Sequence, residues 1–451
     1  MLNLNATIFL TICFSLFTHS YAQTAKDTTK LIAAELAQQD FNVFRDSLFN
    51  THPCIDRYNS KQKLNHLFDS CYSTLTNKVS DIELYGKFKF LLSSIEDGHV
   101  SISPTPEFRN YTNEIAPVFP VSIYFIRNKA FIICDNTNQI QPGSELVSIN
   151  SNPINEIKKT LFQYIVSDGS IKTKKRWILN NSFWFYYYMV YGACRKFTVR
   201  YKQKHKFKTI TISSSSFKSA SCLQKENASA KNIYLSFKSK DIAVLTIKTF
   251  IQEDFNDAKE DYIGFLKSSF LKIKHKKVRY LIIDIRQNGG GRDVYGSLLY
   301  SYLTNKLFHY YKSLETRSRK LSPQNHSNLD IQLPNDNNFS GKIIFLVDGL
   351  SFSTTAEFCS IAKTNNRGLF IGEETGGGYY GNNSGSFIET LLPNTKFVLS
   401  IPTTKYTMDV MSSIYSDRGI IPDIEVLPTI DDIINKRDIQ LNYALKLAGR
   451  K

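Results

Sequence analysis

From Tyr280 to Gly291 the chain reads Tyr-Leu-Ile-Ile-Asp-Ile-Arg-Gln-Asn-Gly-Gly-Gly, a mostly apolar strand running into a polar turn and three glycines. A strand apolar on successive positions needs cover on both faces, which a doubly covered α/β layer supplies. The neighbourhood agrees, because apolar strand patterns at 242–247, 278–285, 343–347 and 369–372 alternate with helical patterns at 255–271, 294–303 and 354–363. Such alternation predicts buried, largely parallel strands. The glycines expose consecutive backbone amides at the strand end, where N–H groups can hold a phosphate or a developing oxyanion. A Walker-type phosphate loop is excluded, since the required Gly-Lys-Ser/Thr ending is absent.

The rest of the chain is organised differently. Residues 1–22 join an apolar run to a small-x-small pattern at Ser20-Tyr21-Ala22, which reads as a secretory leader although no Lys or Arg precedes the run. A lipid anchor at Cys13 is weighed against Ile12, which stands where a small residue is expected. Residues 23–112 form a helical region that stops at Glu96-Asp97-Gly98-His99, followed by a short strand at 100–103. Residues 113–215 are β-rich with helical patterns at 154–166 and 172–188, and the turn and strand from Ile140 to Asn150 are PDZ-like. A Ser/Ala/Lys-rich linker at 216–232 leads to the α/β unit at 233–430, and a terminal helix lies within 431–451. Within that unit a polar loop is expected at 311–340 and short β segments at 386–392 and 396–401. No later stretch is long and apolar enough to span a bilayer, so the mature chain is expected without a transmembrane segment.

A second chemical cluster runs from Val347 through Asp348-Gly349-Leu350-Ser351-Phe352-Ser353-Thr354-Thr355-Ala356-Glu357. Here a strand turns through glycine into a helix that starts on hydroxyl residues. Thr354 with Glu357 also fits a capping box, the purely structural reading. A serine at a helix start sits in the positive end of the macrodipole, beside an amide able to complete an oxyanion hole.

These strings, together with Ile371-Gly372-Glu373-Glu374-Thr375-Gly376-Gly377, the closing Gly419-Ile420-Ile421-Pro422-Asp423 and the strand Thr246–Phe250, resemble the tail-specific (carboxyl-terminal processing) and tricorn-like serine peptidases, over about 240–427. The resemblance implies an α+β multidomain chain with a crotonase-like catalytic domain, a helical N-terminal region and a PDZ-like insert. It also implies peptide bonds as substrate and no cofactor. The tail-specific branch uses a lysine about two dozen residues past its serine, and none occurs in Gly376–Gly381. The tricorn-like branch takes its base from an upstream histidine, and His99 is similar to that residue. The site implied is Ser353 as nucleophile, His99 as base, and the amides of Gly290 and Thr354 as oxyanion hole. Glu357 stands three residues after Thr354 and four after Ser353, so Thr354 remains the alternative nucleophile. Asp417 stands where the relatives carry an orienting glutamate. The family also includes non-enzymatic relatives, so a binding protein for a peptide or apolar ligand is the competing reading.

Charge and cysteine content add boundaries. The formal charge is +16, but the lysines alternate along a strand pattern at 202–208 or crowd a connection at 272–277, as solvated faces do, so no nucleic-acid partner is expected. Among seven cysteines, Cys54 with Cys71 is the candidate pair, against free buried thiols throughout. No metal-ligand spacing occurs, neither His-Glu-x-x-His nor Cys-x-x-Cys. His52 before Pro53 reads as structural. The expected product is an exported peptidase, periplasmic or secreted, acting on polypeptide.

Overall fold

A computed structural model describes residues 30–224, 231–412 and 416–449. The leader at 1–22, the Cys13 reading and part of the linker lie outside these residues. The fold is mixed α/β. Its centre is a sheet ordered Ile233–Phe237, Ile242–Ile247, Tyr280–Asp284, Lys342–Val347, Leu369–Gly372 and Ile424–Glu425. The first pair is antiparallel and the rest are parallel. Strand alternation separates two cores. Ala243, Leu245, Ile247, Leu281, Ile283, Phe345 and Val347 meet one set of helices, including Tyr262–His275 and Thr354–Thr364. Ile242, Val244, Ile282, Ile344 and Leu346 instead meet Ala444 and Ala448 of the helix Ile439–Ala448.

Both glycine-bearing turns leave the carboxyl ends of adjacent parallel strands, where α/β sheets usually place ligands. The Asp284-x-Arg286 pair is an anchor at this edge. Arg286 donates to Asp284 at 2.7 and 2.8 Å and to Asp438 at 2.7 and 2.8 Å, tying the strand to the last helix.

A second sheet orders Tyr311–Thr316, Val398–Met408 and Asn383–Leu391, and Ser101–Ser103 adds to it by pairing with Val398–Ser400. That short pairing joins the N-terminal helices Ala34–Thr51, Lys61–Ser73 and Asp81–Ile95 to the α/β unit. The 311–340 stretch therefore contains a strand where a loop was expected, because Tyr311, Ser313 and Leu314 bury against the long strand beside them. Between the two units, antiparallel strands from Val121–Ile126 to Lys206–Ser213 form a further sheet, accompanied by the helices Ile154–Phe162 and Lys172–Tyr191.

The cysteine expectation is corrected. Cys134 and Cys222 form a disulfide with Cα atoms 5.4 Å apart, whereas Cys54 and Cys71 are free thiols. The turn Ser221–Leu223 folds back onto the end of Lys129–Asp135, as the Ser221 hydroxyl donating to Asn136 at 3.2 Å shows. Among the described residues, no helix is long and apolar enough to cross a membrane.

Candidate active site

The serine turn is built mostly from backbone. Asp348, at the end of Lys342–Val347, accepts from the amides of Gln287 (3.0 Å), Leu350 (3.0 Å) and Ser351 (3.1 Å), knitting the two strand-end turns together. Ser353 then adopts φ 53°, ψ −129° before the helix Thr354–Thr364. A non-glycine residue there is strained, as at the nucleophile turns of hydrolases. Gly290 lies directly against it, since a Cβ at 290 would meet the Ser353 Cβ at 2.6 Å and the Thr354 nitrogen at 3.0 Å.

The two hydroxyls differ. Thr354 is 2% exposed and its O–H donates to the Gly291 carbonyl at 2.7 Å. Ser353 is only partly buried and faces a cavity of about 340 Å³ that Gly291, Glu357, Gly385 and Tyr406 also line. The amides differ as well. Thr354 N–H is the first of its helix, where no intrahelical carbonyl is within reach. Gly290 N–H already donates to Asn288 Oδ1 at 2.9 Å, so in this conformation the expected second oxyanion donor is engaged elsewhere.

The histidine turn is built from buried side chains. The helix Asp81–Ile95 ends at Glu96 in the left-handed region (φ 61°), and Asp97-Gly98-His99 follows. One oxygen of Asp97 accepts from His52 Nε2 and Asn383 Nδ2, both at 2.8 Å. The other accepts from the His99 amide at 2.8 Å. His52 Nδ1 accepts from the Cys54 amide at 3.3 Å, so Nε2 carries the proton given to Asp97. Burial pushes the Asp97 carboxyl up, but the hydrogen bonds donated by His52 and by the His99 amide hold it well below the usual carboxylate range.

The His99 ring stacks on Phe352, the residue before the serine, at 4.4 Å between centroids. Its side chain is 7% exposed, and neither ring nitrogen has a hydrogen-bond partner among the described residues. Burial lowers its pKa against the opposing pull of Asp168 and Asp97. An imidazole held neutral with free nitrogens suits a proton acceptor.

Asp417 is not brought to this ring. Its backbone carbonyl accepts from the Ser170 amide at 3.0 Å, and its successor Arg418 is held by Glu374 at 2.6 and 2.7 Å. The carboxylates at His99 are those of Asp97 and Asp168, whose ligand atoms lie within 4.8 Å of a ring nitrogen and of each other. Three such groups could approach a cation. Their oxygens, however, already accept from Gly98, Gly378, His52, Asn383 and the His99 amide, and the Lys174 charge acts on the same ring. The set is therefore better suited to an imidazole than to a metal ion.

Sequence reasoning missed Asp168 and Lys174, which lie in and just after a short connection between two helical patterns and carry no local signal. It also missed the far wall of the cavity. There Tyr311 bridges Asp293 (3.0 Å) and Glu357 (2.7 Å), and Asp293 pairs with His326 Nε2 at 2.9 Å. His326 Nδ1 accepts from the Asn328 amide at 3.3 Å, which leaves that ring without a free acceptor in this tautomer.

Residues 241–426 match the family model of Peptidase family S41. No curated protein sequence matches the chain. Among solved structures, mature CPAF complexed with lactacystin is 14% identical with a TM-score of 0.65, over 92% of this chain and 98% of that one. Mature CPAF is 13% identical with a TM-score of 0.63, over 92% and 96% respectively. A putative peptidase from Parabacteroides merdae is 15% identical with a TM-score of 0.46, over 93% and 98%. At these identities the CPAF likeness extends the shared fold to nearly the whole chain.

Proposed function

The chain belongs to peptidase family S41 through residues 241–426, and from that premise we propose that it is an exported serine endopeptidase working through an acyl-enzyme. The observation that carries the reading is the meeting of three parts distant in sequence. Gly290 packs on Ser353, and His99 stacks on the residue beside it. In the reaction, a His99 ring nitrogen takes the Ser353 hydroxyl proton as Oγ attacks the peptide carbonyl. The Thr354 amide receives the oxyanion. His99 then returns the proton to the leaving amine, and water repeats the sequence on the ester. Gly290 joins as second donor when its amide turns from Asn288 to the oxyanion. The choice of Ser353 over Thr354 is supported by the hydroxyl bond that Thr354 already makes.

The finer architecture goes with this reading. Residues 233–430 would be a crotonase-like catalytic domain, 113–215 a PDZ-like insert, 23–112 the helical region and 431–451 the terminal helix. Export is supported by the disulfide, which suits an oxidising compartment, and by the leader pattern at 1–22. Polypeptide is the substrate.

A labelled fluorophosphonate on the full-length mature protein tests the proposal. Labelling is expected in the wild type and is expected to vanish in Ser353→Ala. In His99→Ala it should slow by ~10³-fold or more. Labelling that persists in Ser353→Ala removes the nucleophile. A wild type that never labels but binds peptide saturably establishes the carrier reading instead.

A further inference from the structure

The insert reaches into the site with two charged side chains. Asp168 is 2% exposed and accepts from the Gly98 amide at 2.7 Å and the Gly378 amide at 3.2 Å. Gly98 adjoins His99. Gly378 follows Gly377, whose added Cβ would lie 3.1 Å from the Ser353 nitrogen. One carboxylate thus spans the backbone on the histidine side and the backbone on the serine side.

Lys174 reaches the same gap. Its Nζ donates to the Gly98 carbonyl at 2.9 Å and stands 3.3 Å from the centre of the Phe352 ring, a cation–π contact. The Lys174 ammonium and the His99 imidazole therefore contact the same Phe352 ring. No added Cβ fits at Gly98, where it would meet Lys174 Nζ at 2.7 Å, Phe352 Cε2 at 2.8 Å and Asp168 Oδ1 at 2.9 Å. The backbone just before Lys174 is equally close to the serine turn, since a Cβ at Gly349 would meet the Thr173 carbonyl at 2.4 Å.

This placement works against stability. The first turn of Lys172–Tyr191 contains Lys172, Lys174 and Lys175 and no acidic residue, at the helix end whose dipole disfavours cations. One of the three is fully buried, and burial lowers its pKa to about 8. Retaining a buried cation in that position is hard to explain by folding alone.

We propose that Asp168 and Lys174 are positioning residues that hold the His99 turn against the Ser353 turn, making the insert a structural part of the active site. The proposal rests on the assignment of Ser353 and His99 above. The charged groups acting on His99 are Asp168, Asp97, Lys174 and Arg57, and those acting on Lys174 are Asp168, Asp97, Lys89 and Lys175. Asp168 favours the imidazolium and Lys174 opposes it, so removing each charge should move the His99 titration in opposite directions.

The test is the rate of Ser353 labelling by a fluorophosphonate against pH, in the full-length mature protein. Asp168→Asn should slow labelling by ~10–100-fold and shift its rise with pH toward acid by ~0.5–1 unit. Lys174→Met should shift the rise toward alkali by a similar amount, while Lys174→Arg should stay near wild type. A merely structural role slows both variants without opposed shifts. If both variants keep the wild-type rate and rise while Ser353→Ala and His99→Ala lose labelling, this proposal fails and the mechanism stands. If Ser353→Ala still labels, the mechanism fails and takes this inference with it. Should Asp168→Asn not fold, an unmoved rise in Lys174→Met alone overturns the proposal.

Discussion

The serine turn and the histidine turn solve the same positioning problem by different means. At Ser353 the chain places a hydroxyl through backbone geometry, using a positive φ, a glycine opposite and a carboxylate that accepts three amides. At His99 it uses buried side chains from remote segments: His52 from the first helical region, Asn383 from the second sheet, and Asp168 with Lys174 from the start of the helix Lys172–Tyr191 and the turn before it. A backbone device is local and tolerates loss of its side chain. A side-chain network has no independent members, because each deleted partner leaves a buried polar group unsatisfied.

The sharpest way to break this contrast is to delete one group on each side. Asp97→Ala removes the acceptor of His52, Asn383 and the His99 amide at once. It is expected to cost ~3–5 kcal/mol of stability, and activity should fall with the loss of the turn. Ser353→Ala removes no buried partner and should stay within about 0.5 kcal/mol of wild type. Urea unfolding of the two variants measures both values, and similar costs would show that the two turns are not built on different principles.

The serine side has one buried ionisable group that sharpens the comparison. Glu357 lies under the cavity, and burial together with the Asp293 charge pushes its pKa from 4.5 up to about 7. Between those values the native state keeps a proton that the unfolded chain has lost. Stability contributed by this group is full below pH 4.5 and declines as pH rises toward 7. Taken alone the difference amounts to about 3 kcal/mol across that window. In Glu357→Gln the decline should flatten, with Tyr311 still able to donate to Asp293. Thermal unfolding followed from pH 4.5 to pH 8 reads the slope, and an unchanged slope in the variant places the titrating group elsewhere.

How legible each side was in the sequence follows from the same contrast. The strand Leu369–Gly372 and the start of the helix at Thr354 fall where the apolar pattern puts them, and the serine turn lies in one contiguous string. The long helix expected at 255–271 is broken, because Asp261 caps a new start by accepting from the Gly264 amide at 3.1 Å. The terminal helix is likewise interrupted where Asp438 caps Leu441 and also binds Arg286. His99 stood out only beside the family motifs. Asp168 and Lys174 gave no sign at all, since their role depends on packing between segments 70 and 76 residues apart in the chain. The pairing of Cys134 with Cys222 across 88 residues was hidden for the same reason.

The smallest expected effect bears on the backbone side alone. If the turn at residue 353 stores strain, glycine should relieve it, because φ 53° with ψ −129° costs glycine little and a residue with a Cβ about 1–3 kcal/mol. Glycine also gains more conformational freedom in the unfolded chain, which offsets part of that relief. Ser353→Gly should therefore be more stable than Ser353→Ala by ~0.5–1 kcal/mol while sharing its loss of labelling. Both variants lack the Ser353 hydroxyl, so differences in catalysis cannot disguise the result. A glycine variant no more stable than the alanine variant would mean that the serine is held without strain, and that this turn leans on its neighbours as much as the histidine turn does.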